Sequence, residues 1–127
     1  MKIFNESNSP WLAKVNFVDQ NNVMVGYDLS QDCCELADWF IADVPVLKFD
    51  KTNRDYDEKE LESYYFDTKY FQEINDNNLF DNGGMIIFRI TDGKSEKFIH
   101  IYNIHNGYYS HGFEFKIDKN VIESGYL

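Results

Sequence analysis

The sequence has no apolar run approaching the roughly 18 residues of a membrane span. Its first residues, MKIFNESNSPW, carry one lysine and then turn polar, so they lack the apolar core of a secretory signal. Only two cysteines are present, adjacent at Cys33-Cys34, and no C-x2-C pair exists to seed a zinc site. Basic residues are also scarce. Twelve Lys and Arg face 22 Asp and Glu, giving a net charge of -10 and a pI near 4.6. A surface this negative repels free nucleic acid and favours basic partners. Aromatics, in contrast, are plentiful at 17% of 127 residues. That excludes a disordered acidic tail and fits one domain spanning 1–127. The absence of a signal and the two thiols together predict a cytoplasmic, reducing setting.

The charge is unevenly placed. Residues 1–27 hold two acids and two bases, and residues 82–127 hold five of each. Residues 28–81 hold 15 acids against five bases, which is the whole excess. A solvated, loop-rich face collects charge in this way, and so does an interaction surface.

The alternation in Trp11–Val18, with Val15 and Phe17 opposite Lys14 and Asn16, predicts a strand. Asp19-Gln20-Asn21-Asn22 is turn chemistry, and Val23–Leu29 resumes the pattern, which predicts a β-hairpin. In Asp32–Ile41, Asp32 is a candidate cap with Glu35 three residues on, and Leu36, Trp39 and Phe40 share a helical face. A buried strand is the alternative. Val44-Pro45-Val46 ends that element. The helix formers of Asp57–Phe66 predict about two helical turns. Residues 75–84, dense in Asn, Asp and Gly, predict a loop. Met85–Thr91, Phe98–Ile104 and Gly112–Ile117 alternate around an Asp92-Gly93 and an Asn106-Gly107 turn, predicting a three-strand antiparallel meander over 85–117. The expected class is α+β: mainly one antiparallel sheet of about five strands with one or two short helices.

Candidate chemistry is thin. Adjacent cysteines rarely bridge, so Cys33 and Cys34 are expected to be reduced and structural. A catalytic thiol needs a base to lower its pKa, and His100, His105 and His111 are the available ones. The same residues make a small metal-binding or enzymatic domain an alternative reading. Ser110-His111 lacks a nucleophile elbow, and Gly83-Gly84 precedes a strand pattern where a phosphate cradle would need a helix. No cofactor, metal ligand or catalytic residue is assigned. Asn106-Gly107-Tyr108-Tyr109 reads either as a hairpin loop covering a sheet end or as an exposed aromatic tip.

Two segments together resemble an uncharacterised domain family of phage and bacterial genomes. Its members share D-C-C followed closely by W-F, and later N-G-Y-Y after a strand. Here these stand as Asp32-Cys33-Cys34 with Trp39-Phe40, and as Asn106-Gly107-Tyr108-Tyr109. The family usually has Ser-Asn before its Gly-Tyr-Tyr and small glycines after. This chain has Ile104-His105-Asn106 and Ser110-His111, with a longer acidic segment between the motifs. The resemblance implies a mobile-element setting and small accessory proteins, and no activity.

The sharpest functional expectation lies in 55–70. Asp55, Asp57, Glu58, Glu60, Glu62 and Asp67 interleave with Tyr56, Tyr64, Tyr65, Phe66 and Tyr70, and Tyr108 and Tyr109 add further aromatic area. Asp55, Asp57, Glu58, Glu60, Glu62, Tyr64, Tyr65, Tyr108 and Tyr109 are the expected partner-binding residues. Charge for steering and aromatics for anchoring predict a non-catalytic protein that neutralises a basic protein partner, such as an immunity protein for a nuclease-type toxin. A phage or mobile-element inhibitor of a host defence protein uses the same physics, and a structural phage component is a further alternative. No direct nucleic-acid or membrane binding is expected.

Overall fold

The computed structural model of the chain describes residues 1–9, 12–30, 35–47, 56–80, 83–105 and 110–127. Within them the chain forms two antiparallel sheets. The predicted hairpin is present as β2 (Leu12–Val18) and β3 (Val23–Asp28), paired from Lys14↔Asp28 to Val18↔Met24. Its turn is built by the buried Asp19, whose Oδ1 accepts from the amides of Asn21 and Val23 at 2.8 and 2.9 Å. Asn22 takes a left-handed φ of 59°, which asparagine tolerates well.

A preceding strand, β1 (Lys2–Ser9), lies outside β2. The last two strands, β9 (Gly112–Ile117) and β10 (Asn120–Tyr126), complete the first sheet in the order β1-β2-β3-β9-β10. The second sheet has the order β4-β8-β7-β5, with β4 (Leu36–Ala42), β5 (Tyr65–Phe66), β7 (Gly84–Thr91) and β8 (Glu96–Ile104). Short β6 (Gln72–Ile74) also pairs with β7. One-turn helices α1 (Glu58–Leu61) and α2 (Asn77–Phe80) are the described helices.

The expectation of a mainly antiparallel chain with two short helices holds, but there are two sheets of about five strands where one was expected. The meander over 85–117 is corrected. β7 and β8 form its hairpin, whereas β9 pairs with β3 and β10 in the other sheet. Of the two readings of Asp32–Ile41, helix or buried strand, the strand is the one the described residues adopt. Residues 36–42 form a strand against β8, and Asp32 lies outside the described residues. The two turns expected over Asp57–Phe66 shrink to one, because Tyr65–Phe66 joins β7.

The two sheets pack face to face. Val15, Phe17, Val25, Tyr27, Phe113 and Phe115 meet Trp39, Ile86, Phe88 and Ile101 in one buried cluster. Ring contacts fix the alignment. Phe17 of β2 meets Trp39 of β4 edge-on at 5.1 Å, and Phe115 of β9 meets Phe88 of β7 at 5.1 Å. Between them the buried Tyr27 hydroxyl donates to the Tyr102 carbonyl at 2.8 Å, and desolvation pushes its pKa well up. The second sheet is covered on its other face too, where Phe40, Met85, Ile87, Phe98 and Tyr102 pack with Phe80 of α2. The stacking places β1 beside β4 along one flank of the sandwich, and the chain over 56–64 runs against that flank.

Candidate protein-interaction surface

The acidic turn is anchored from below. Asp57 has extended backbone (φ -94°, ψ 120°) and caps α1 by accepting from the Lys59 amide at 3.0 Å. Leu61 is buried, and the Met1 amino group donates to the carbonyls of Leu61, Glu62 and Tyr64 at 2.6, 3.1 and 3.2 Å. The next contact is from the Phe66 amide to Asp19 Oδ2 at 2.8 Å. Asp57, Glu58, Glu60 and Glu62 are therefore exposed carboxylates on a backbone held at several points. Lys97 of β8 bridges Glu60 (3.5 Å) to the exposed Asp43 (2.8 Å), extending the acidic surface to the end of β4. These partners raise the Lys97 pKa, the Asp43 hydrogen bond foremost.

Two grooves flank this turn. One, of about 480 Å³, is lined by Asn5, Leu29, Asp38, Trp39, Tyr56 and Glu58. Its half-buried Tyr56 ring lies 5.7 Å from Trp39. The other, of about 270 Å³, runs between Lys2, Ile3 and Phe4 of β1 and Glu58 and Leu61 of α1 with the following Glu62. A third groove of about 610 Å³ crosses the outer face of the first sheet between Leu12 and Tyr126.

The sequence-derived residues divide. Asp57, Glu58, Glu60 and Glu62 come together on one surface. Tyr65 is half-buried in β5. Tyr64 is corrected: it is 1% exposed, its hydroxyl lies 2.7 Å from Ser95 Oγ, and its ring belongs to the inter-sheet core. It therefore offers no anchor to a partner. Asp55, Tyr108 and Tyr109 lie outside the described residues, as do Cys33 and Cys34. The sequence reading counted Tyr56 among the aromatics interleaved with these acids but did not name it among the partner-binding residues. Its cue was its place between Asp55 and Asp57, but pairing with Trp39 is a long-range event.

All three histidines are buried. His100 accepts from the Val46 amide at Nε2 (2.9 Å), so its Nδ1 carries the proton and donates to the Phe98 carbonyl (3.1 Å). It stacks on Phe40 at 4.1 Å, and burial lowers its pKa to about 4. His111 contacts the Asp28 carbonyl through Nδ1 (2.6 Å) and Glu35 through Nε2 (2.7 Å). A carbonyl only accepts, so Nδ1 donates to Asp28. Both nitrogens of both rings are thus engaged within the fold. Among the described residues, no group of three or more His, Cys, Asp or Glu is arranged to hold a metal ion. No described helix is long and apolar enough to cross a membrane.

Comparison with family models, with curated proteins and with solved structures gives no significant match.

Proposed function

We propose that the chain is a non-catalytic acidic binding protein that neutralises a basic protein partner, of the immunity-protein kind that blocks a nuclease-type toxin. The observation that carries this reading is the run Asp57, Glu58, Glu60 and Glu62, exposed together on a backbone tied down by Leu61, Met1 and Asp19. Charges displayed on a pre-ordered backbone meet a partner without the entropy cost of ordering a loop. A nuclease's substrate cleft is electropositive, and an acidic ridge complements it and speeds encounter.

The test uses a stoichiometric partner recovered from the native host. Its association rate is measured at low and high salt against the wild type and against Glu58→Lys combined with Glu62→Lys. The expected result is an association about tenfold slower at low salt, with a flatter salt dependence. An unchanged rate at low salt removes the reading.

A further inference from the structure

The grooves at Tyr56 and at Phe4 meet at Glu58 and share β1 as a wall. β1 is the outermost strand of its sheet. Its pairing with β2 is regular from Lys2 to Ser7, with a register shift only between Ser7 and Ser9. Among the described residues, no hydrogen bond joins the other edge of Lys2–Ser7 to another element. Sheet edges are normally blunted by a bulge, a proline or an inward charge. The opposite edge strand, β10, follows that rule with a register shift in its middle, between Val121 and Glu123. The β1 edge carries its shift only at the far end, between Ser7 and Ser9, and the chain over 56–64 lies beside it across the two grooves.

The side chains beside this edge are sorted by face. Ile3 and Asn5 follow Phe17 and Val15 toward the inter-sheet side, where Glu58 shares a groove with Asn5, while Glu58 and Glu62 together line the groove that Ile3 and Phe4 both border. Phe4 follows Asn16 to the outer side and is 49% exposed. A strand laid along β1 would therefore present alternate residues to carboxylates and to an exposed phenyl ring.

We propose that an extended segment of the basic partner adds to β1 as a sixth strand, with its lysines or arginines toward Glu58 and Glu62 and its apolar residues beside Phe4. This rests on the acidic surface being the partner-binding one, and it specifies how the partner's backbone lies there. Main-chain hydrogen bonds along the edge supply affinity, and the alternation of cation and apolar side chain supplies selectivity.

The probe is an end-capped peptide of alternating lysine and valine, about eight residues long, carrying a fluorophore. Two further versions are N-methylated at alternate residues, one in each phase, so that each has one hydrogen-bonding edge closed. In antiparallel addition, the direction of every strand pair described in this fold, only one edge of the peptide can face β1 while its lysines face Glu58. The unmodified peptide and one methylated version should therefore bind, and the other should lose about tenfold or more in affinity. Binding should protect the amides of residues 2–7 from hydrogen exchange. Glu58→Lys combined with Glu62→Lys should weaken binding of the unmodified peptide by a similar factor. Equal binding of both methylated versions with the charge effect intact overturns strand addition and leaves the acidic surface standing. Phase-selective binding that ignores the charge reversal overturns the acidic reading and this proposal with it. Protection appearing at residues 120–126 in place of 2–7 overturns the assignment to β1.

Discussion

The Asp19 carboxylate and the Phe66 amide meet at 2.8 Å across 47 residues of sequence, joining the β2–β3 turn of one sheet to the outermost strand of the other. The same carboxylate accepts from Asn21 and Val23 through its second oxygen. One buried side chain therefore shapes a hairpin and sets where the chain leaves the acidic turn. Asp19→Ala leaves the Phe66 and Val23 amides without an acceptor and should destabilise by about 2–4 kcal/mol, read from urea denaturation. Asp19→Asn keeps a single acceptor oxygen, which serves the turn or Phe66 but not both, and should fall between wild type and Asp19→Ala.

Acid should weaken the fold through His100. Its folded pKa is lowered to about 4, whereas an exposed histidine titrates near 6.5. As pH falls through this window, the unfolded chain takes up a proton that the folded one refuses. Stability is therefore fully present above about 6.5, declines toward 4, and levels off below; the span corresponds to about 3 kcal/mol. His100→Gln keeps an acceptor for the Val46 amide without a titrating group. Urea midpoints at pH 7 and 4.5 should separate less in His100→Gln than in wild type, and an equal separation would assign the acid sensitivity elsewhere.

The first hairpin was legible because β2 buries one face only, so Val15 and Phe17 alternate cleanly with Lys14 and Asn16. The same holds for β9, where Phe113 and Phe115 alternate with Glu114 and Lys116. The second sheet is covered on both sides, and its strands read differently. In Leu36–Ala42, Trp39 enters one cluster and the adjacent Phe40 the other, and adjacent large apolar residues mimic a helical face. In Glu96–Ile104, Phe98 through Asn103 are all buried. The partition of β9 away from β8 was thus present in the pattern: a one-faced strand follows a two-faced one, and they belong to different sheets. β1 and β10 escaped notice because their side chains are mostly exposed, so neither shows a buried alternation. The acidic turn was legible from charge alone, whereas the burial of Tyr64 was not. The ring is placed by the Asp19–Phe66 and Met1 contacts, which are long-range.

Gly83 is required by a close approach. A Cβ there would lie 1.9 Å from the Asn103 carbonyl oxygen and 2.7 Å from its carbon, both main-chain atoms of the paired strand. Gly83→Ala must push the start of β7 away from β8 and should cost more than about 2 kcal/mol. Gly112 is the control. Its nearest neighbour is the Tyr126 ring at 3.6 Å, an ordinary contact, so Gly112→Ala should change stability by less than about 1 kcal/mol. Comparable losses for the two variants in a thermal melt would refute the steric argument.

The acidic turn and the tyrosine that follows it should respond in opposite ways to mutation. Tyr64 is a core residue, so Tyr64→Ala opens a cavity and should cost about 3–5 kcal/mol, a fall in Tm on the order of 10 °C. Tyr64→Phe keeps the ring and loses only the contact with Ser95, worth about 1 kcal/mol. Glu58 and Glu62 are exposed and make no ion pair among the described residues. Reversing both should leave Tm within about 2 °C while changing the association rate with a basic partner. The contrast is read by running melting curves and binding kinetics on the same four proteins. If Tyr64→Ala melts like wild type and instead hastens dissociation, the ring is a partner anchor after all, and the packing described for the inter-sheet core at that position is wrong. If the double charge reversal lowers Tm as much as Tyr64→Ala does, the carboxylates serve the fold, and the acidic ridge loses its claim as a surface kept for a partner.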